Sequence, residues 1–126
     1  MTSAGENWVA GYVEAWRSND PERIGALFGE NARYFSSPDS EPRVGRDAIV
    51  DGWLEDFDEP GTWTFRWRIL REDAGWLVVQ GYTAYPAERD YLNLWIVQLD
   101  DEGRAEEFTE WYMPRTHVPE SSPPAP

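Results

Sequence analysis

The sequence predicts an α+β domain: three N-terminal helices wrapping a cone-shaped, curved antiparallel half-barrel with an apolar interior open at one end. Two observations predict it. Apolar residues recur with a helical period through the first half of the chain, and with a period of two from residue 62 to residue 113. The chain has 126 residues, 40% of them apolar, and eight Trp, six Tyr and five Phe supply much of that share. This is enough for one core, and large rings suit a roofed cavity.

Helix 1 is expected over 8–18. Trp8, Tyr12 and Trp16 fall at i, i+4 and i+8, with Val9 and Val13 beside them, so one face is apolar. "SNDPE" then breaks and restarts the helix: Asp20 suits the N-cap, and Pro21 the first helical position, where no N–H is needed. Helix 2 is expected over 20–28, with Ile24, Leu27 and Phe28 on one face. "ARYFS" reads as the first strand, followed by a Pro-punctuated loop. Helix 3 is expected over 46–57 on the stripe Ile49, Val50, Trp53, Leu54 and Phe57, and "EPGT" ends it.

Four long strands follow. In "TWTFRWRIL", Trp63, Phe65, Trp67 and Ile69 alternate against Thr64, Arg66 and Arg68. "EDAG" is a turn, and "WLVVQGYTAY" is a strand in which Gly81 predicts a bulge or bend. "YLNLWIVQL", the acidic turn "DDEG" and "RAEEFTEWYM" complete an antiparallel succession. The domain is expected to span 1–113, and 114–126 to form a Pro-rich disordered tail.

Composition excludes much chemistry. The sequence has no Cys, so thiol catalysis and thiolate metal sites are out, and no Lys, so Schiff-base catalysis by lysine is out. The only His, His117, falls in the tail, which leaves a Ser-His-Asp triad or His-rich metal site without a place in the domain. "EDFDE" (55–59) and "DDE" (100–102) lack the spacing of a calcium loop, so no metal and no cofactor are expected. A net charge of −13 repels phosphate backbones and anionic membranes, so neither nucleic acid nor membrane is an expected partner. With no apolar run near the roughly 20 residues of a membrane span and no signal-like start, a cytoplasmic location is expected.

The stretches "YVEAWRSNDPERIGALFGENARYFSSP", "GRDAIVDGW" and "LDDEGRAEEFTEWY" resemble the nuclear transport factor 2-like superfamily, in its SnoaL-like and ketosteroid-isomerase-like branches. The resemblance covers roughly residues 8 to 113 and implies the cone fold. Residue by residue, it places the isomerase's oxyanion tyrosine at Tyr12. The tyrosines that support it fall on Phe28 and Trp53, the general-base aspartate on Ser36, and the protonated aspartate of the oxyanion site on Trp95. One functional group of three survives, and a serine without a base cannot abstract a proton alpha to a carbonyl near neutral pH. The resemblance therefore implies the fold without the isomerase mechanism.

A replacement acid is expected on the last strand. The resemblance puts Phe108, Glu110 and Tyr112 on the cavity side, and alternation then turns Thr109 and Trp111 away. Glu110 and Tyr12 are the candidate catalytic pair. Glu110 also has structural readings, as a solvated edge glutamate or as a partner of Arg33, Arg66 or Arg68. Trp16, Tyr34, Ser36, Trp53, Asn93, Trp95, Phe108 and Tyr112 are the candidate ligand-binding residues, and Asp39 and Glu41 are placed near the cavity mouth. The expected function is a pocket that binds an apolar or aromatic small molecule. The alternatives are a cofactor-independent cyclase, isomerase or hydrolase using Glu110, and a dimeric interaction domain with an inert cavity. A homodimer through the outer sheet face is expected, with Trp111 and Trp63 on that face.

Overall fold

A computed structural model describes residues 2–116. The chain folds as α1 (Ala4–Ser18), α2 (Pro21–Gly25), β1 (Phe28–Phe35), β2 (Arg43–Val44), α3 (Arg46–Glu55), β3 (Thr64–Asp73), β4 (Trp76–Ala84), β5 (Asp90–Leu99) and β6 (Ala105–Pro114). The α+β class and the four long strands are as the sequence predicts. His117 and the tail beyond it lie outside the described residues, whereas Pro114 closes β6 and pairs with Tyr91.

The helices are set by their ends. α1 starts before the expected Trp8 because Ser3 caps it: Ser3 Oγ accepts from Glu6 N, and the Glu6 side chain reaches back to Ser3 N. Glu72 of β3 clamps the same end, accepting from Ser3 Oγ at 2.6 Å and from Gly5 N at 2.9 Å. At the other end Asn19 adopts φ 53°, a left-handed C-cap. Asp20 and Pro21 start α2 as expected, but α2 ends at Gly25 rather than at residue 28. Phe28 belongs to β1, not to a helix, because its backbone pairs with Ala105 of β6, a long-range partner that helical periodicity does not reveal.

The sheet order is β2-β1-β6-β5-β4-β3. β3, β4, β5 and β6 run antiparallel to their neighbours, but β1 lies parallel to β6, so the sheet is mixed rather than wholly antiparallel. Ala74 and Gly75, both at positive φ, make the tight β3–β4 hairpin. The register shift in this hairpin falls between Ile69 and Arg71, not at Gly81. Gly81 instead makes room: a Cβ there would lie 2.5 Å from the Phe65 ring across the ladder. Phe65 uses that space to stack on Trp95, with centroids 5.1 Å apart.

The apolar stripe of α1 lies on the inner face of β5 and β6. Trp8, Tyr12, Phe28, Trp95 and Phe108 are buried there together, and Trp8 Nε1 donates to Leu27 O at 2.9 Å. Trp63 corrects the expected outer face. It is buried, stacks on Trp16 at 3.7 Å, and shares the inner face with Phe65. Trp111 is on the outer face and 40% exposed. No helix among the described residues is long and apolar enough to cross a membrane.

Candidate functional site

The inner face of the sheet, α1, α3 and the loop after α3 enclose a cavity of about 590 Å³. That is within the usual range for small-molecule sites, roughly 300–1,000 Å³. Tyr12 and Trp16 reach it from α1, Tyr34 and Ser36 from β1 and its end, Trp53 from α3, Asn93 and Trp95 from β5, and Glu110 and Tyr112 from β6. Phe108 is the one expected ligand residue that does not line the cavity. It is fully buried behind Tyr12 and Tyr34, stacked on both rings at 5.6 and 4.7 Å. Asp39 and Glu41 are exposed and do not line it either.

Glu110 faces the cavity because the β5–β6 register sets it opposite Trp95, with Thr109 and Trp111 turned outward. Two neutral donors hold one of its oxygens: Asn93 Nδ2 at 2.7 Å and Trp95 Nε1 at 3.1 Å, both to Oε2. Asn93 is held in turn by Thr83, whose buried hydroxyl donates to Asn93 Oδ1 at 2.7 Å. None of the arginines weighed as partners reaches Glu110. Arg33 pairs with Glu107, Arg66 lies over the Tyr82 ring, and Arg68 donates to Gln80. Burial pushes the Glu110 carboxyl above its ordinary range, and the bonds from Trp95 and Asn93 pull partly the other way.

Tyr12 has a phenolic partner after all. The Tyr34 hydroxyl lies 3.1 Å from its own, so Tyr34 supplies the hydrogen bond that the resemblance leaves open at Phe28 and Trp53. Burial, then the neighbouring phenol and the Glu110 charge, raise the Tyr12 pKa well above the usual 10. Burial, then Glu110, likewise push Tyr34 up, so both remain protonated donors.

The second carboxylate of the cavity is Asp58, which sequence reasoning left in an acidic helix end. Trp16 Nε1 donates to its Oδ2 at 3.0 Å and the Tyr85 hydroxyl to the same oxygen at 2.8 Å. Asn19, the α1 cap, fixes the loop by donating to Asp58 O at 3.1 Å and accepting from Trp53 Nε1 at 3.1 Å. No local signal separates Asp58 from its acidic neighbours in "EDFDE"; it is chosen by residues far away in the chain. Among the described residues, no group of three or more Asp, Glu, His or Cys side chains is arranged to hold a metal ion.

The SnoaL-like domain model matches residues 9–114. The chain belongs to the SnoaL-like family. Similar solved structures include an NTF-2 like protein of unknown function from Burkholderia xenovorans LB400, with TM-score 0.74, 14% identity, and coverage of 92% of this chain and 88% of that one. A putative ketosteroid isomerase from Kribbella flavida DSM 17836 aligns with TM-score 0.69 and 21% identity over 98% and 83% of the two chains. A steroid delta-isomerase from Pseudomonas aeruginosa aligns with TM-score 0.64 and 18% identity over 90% and 82%. At these identities the likeness is one of fold. No functionally curated protein matches the sequence. Two of the carboxylates in this aromatic cavity, Glu110 and Asp58, are each held by neutral donors.

Proposed function

We propose that this SnoaL-like domain binds a small organic molecule in the cavity and that Glu110 exchanges a proton with it as general acid or base. One observation carries the reading. Glu110 sits in the cavity wall with Oε2 held by Asn93 and Trp95, while its other oxygen has no hydrogen-bond partner among the described residues. That second oxygen is not buried, so the carboxyl is open to a ligand on its cavity side. A general acid or base needs a positioned carboxyl, a pKa lifted toward neutrality and an oxygen open to the ligand. Of Tyr12 and Tyr34, whose hydroxyls bond each other, the one that accepts in that bond keeps its O–H to donate to a ligand oxygen.

The test is a small-molecule screen by thermal shift on the wild type and on Glu110→Gln, followed by turnover assays on the hits. Glu110→Gln preserves the shape and removes the titration. Hits should be converted by the wild type and not by the variant. Equal conversion by both proteins would remove Glu110 from the chemistry.

A further inference from the structure

Asp58 and Glu110 enter the cavity from different elements, yet they are held alike. Asn93 Nδ2 and Trp95 Nε1 meet on Glu110 Oε2; Trp16 Nε1 and the Tyr85 hydroxyl meet on Asp58 Oδ2. All four donors are neutral. Among the described residues neither carboxylate is in an ion pair, and neither Glu110 Oε1 nor Asp58 Oδ1 has a hydrogen-bond partner. Each acid is thus oriented by one oxygen and left open at the other. The Tyr85 phenol lies in the field of both charges, which, after burial and its bond to Asp58, push its pKa up.

The rest of the wall has the same sign. Asp56 and Glu88 also line the cavity, and among the described residues Arg43 is the only basic one that does. Arg43 acts on Tyr34 and pairs with neither Asp58 nor Glu110. Trp16, Trp53, Tyr12 and Trp95 line the same space.

From this arrangement we infer that the cavity selects an organic cation. Its ammonium or quaternary nitrogen sits against the open oxygens of Glu110 and Asp58, and its hydrocarbon body lies against Trp16, Trp53 and Tyr12. The inference rests on the reading of the cavity as a ligand site and names the ligand's class. Three physical points support it. A partly buried carboxylate attracts a cation more strongly than one in bulk water, and the neutral donors do not offset its charge. Aromatic faces carry negative potential and attract cations further when water is excluded. An anionic ligand would meet four acids and a single arginine.

The inference has a pH signature. From α1, Tyr12 faces Glu110; from β1, Tyr34; from β5, Asn93 and Trp95; and from the loop after β4, Tyr85, while Asp56, Asp58, Glu88 and Arg43 line other parts of the same cavity. The three tyrosines stay protonated, so the pH dependence comes from the carboxyls, and burial shifts that of Glu110 upward. Affinity for a cation of fixed charge therefore rises with pH as Glu110 loses its proton.

Calorimetric titration with three probes tests this: benzyltrimethylammonium, whose charge does not change with pH; neopentylbenzene, its uncharged isostere; and phenylacetate. Benzyltrimethylammonium should bind at least tenfold more tightly than neopentylbenzene, with affinity rising with pH, and phenylacetate should not bind. Glu110→Gln should weaken the cation at least tenfold and flatten the pH profile. Asp58→Asn, whose amide oxygen can still accept from Trp16 and Tyr85, should weaken it as well. If one variant lacks a cooperative melt, the other variant and the wild-type pH profile decide. Neopentylbenzene or phenylacetate binding as tightly as the cation would end the cation inference and leave the cavity a ligand site. Cation binding indifferent to both variants would also end it. Silence from all three probes at millimolar concentration would count against the ligand cavity itself.

Discussion

The hydroxyls of Tyr12 and Tyr34 meet at 3.1 Å, one carried by α1 and the other by β1. Both rings stack on Phe108, so helix and sheet are joined by both stacking and a hydrogen bond. Tyr34→Phe would leave the Tyr12 hydroxyl without this partner, at a cost of about 1–3 kcal/mol. The double variant Tyr12→Phe/Tyr34→Phe removes both ends and should cost less than the two single changes summed. Urea unfolding of the four proteins measures the coupling. Strict additivity would mean the two phenols do not interact in solution.

The Glu110 carboxyl gives stability a pH dependence of definite sign. Its folded-state pKa is raised by burial, so the folded protein binds this proton more tightly than the unfolded chain does. That contribution is fully present below the unfolded carboxylate pKa and is lost as pH rises through the folded value. Glu110→Gln cannot ionise and escapes the loss. The variant should therefore melt above the wild type at pH 8, with the gap closing towards pH 4. A gap that widens on acidification would show that the carboxylate is stabilised in the fold, contrary to its setting.

Gly81 tests the packing beneath the cavity. A Cβ there would fall 2.5 Å from the Phe65 ring, which is stacked on Trp95, the residue that donates to Glu110. Gly81→Ala should destabilise by roughly 1–3 kcal/mol, the usual cost of overpacking. Gly81→Ala/Phe65→Leu should recover part of the loss. Denaturant midpoints check both, and a neutral Gly81→Ala would mean that the ring yields freely.

How legible the site was in the sequence followed the range of the interactions that form it. Glu110, Asn93 and Trp95 could be assigned to one inner wall because strand alternation is local and the turn at 100–103 sets their register. α1 was equally legible from its Trp8–Tyr12–Trp16 stripe. Phe28 was not, because an apolar residue next to Leu27 suits a helix face or a strand, and only pairing with Ala105 decides. Trp63 was assigned to the wrong face because its burial comes from stacking on Trp16, 47 positions earlier by their residue numbers. Asp58 was missed for the same reason: its partners are Trp16, Asn19 and Tyr85. Alternation along a strand shows which residues share a face, but not what meets that face.

A homodimer through the outer sheet face is the expected assembly. Opposite Glu110's side of the ladder, Leu92 pairs with Met113 and Leu94 with Trp111. Leu92, Trp111 and Met113 are 45%, 40% and 66% exposed. These four side chains carry no charge in a chain of net charge −13, and charge depletion is the mark of an interface centre. A second copy of this face is the expected occupant. Light scattering at tens of micromolar should give twice the 14.6 kDa chain mass, and Trp111→Glu should give the monomer. A monomeric wild type at that concentration would leave the face without its expected partner.

Ketosteroid isomerisation should be absent, and the structure gives a sharper reason than the missing acids alone. Ser36 lies at the cavity wall where the resemblance places the general base, but a serine hydroxyl does not take a proton from carbon near neutral pH. The second oxyanion donor is lost as well. Trp95 occupies its position, and its indole N–H is committed to Glu110 Oε2 at 3.1 Å rather than to a ligand. Tyr12 remains, sharing its hydroxyl with Tyr34. General acid–base catalysis alone is worth about 10² to 10⁴ in rate, and a lost oxyanion donor about 10² to 10³ more. A β,γ-unsaturated steroid should therefore show no turnover above buffer. Ser36→Asp should not restore it, because the second oxyanion donor is still missing. Robust wild-type turnover that disappears in Glu110→Gln would show instead that Glu110 has taken over the base's role from the neighbouring strand.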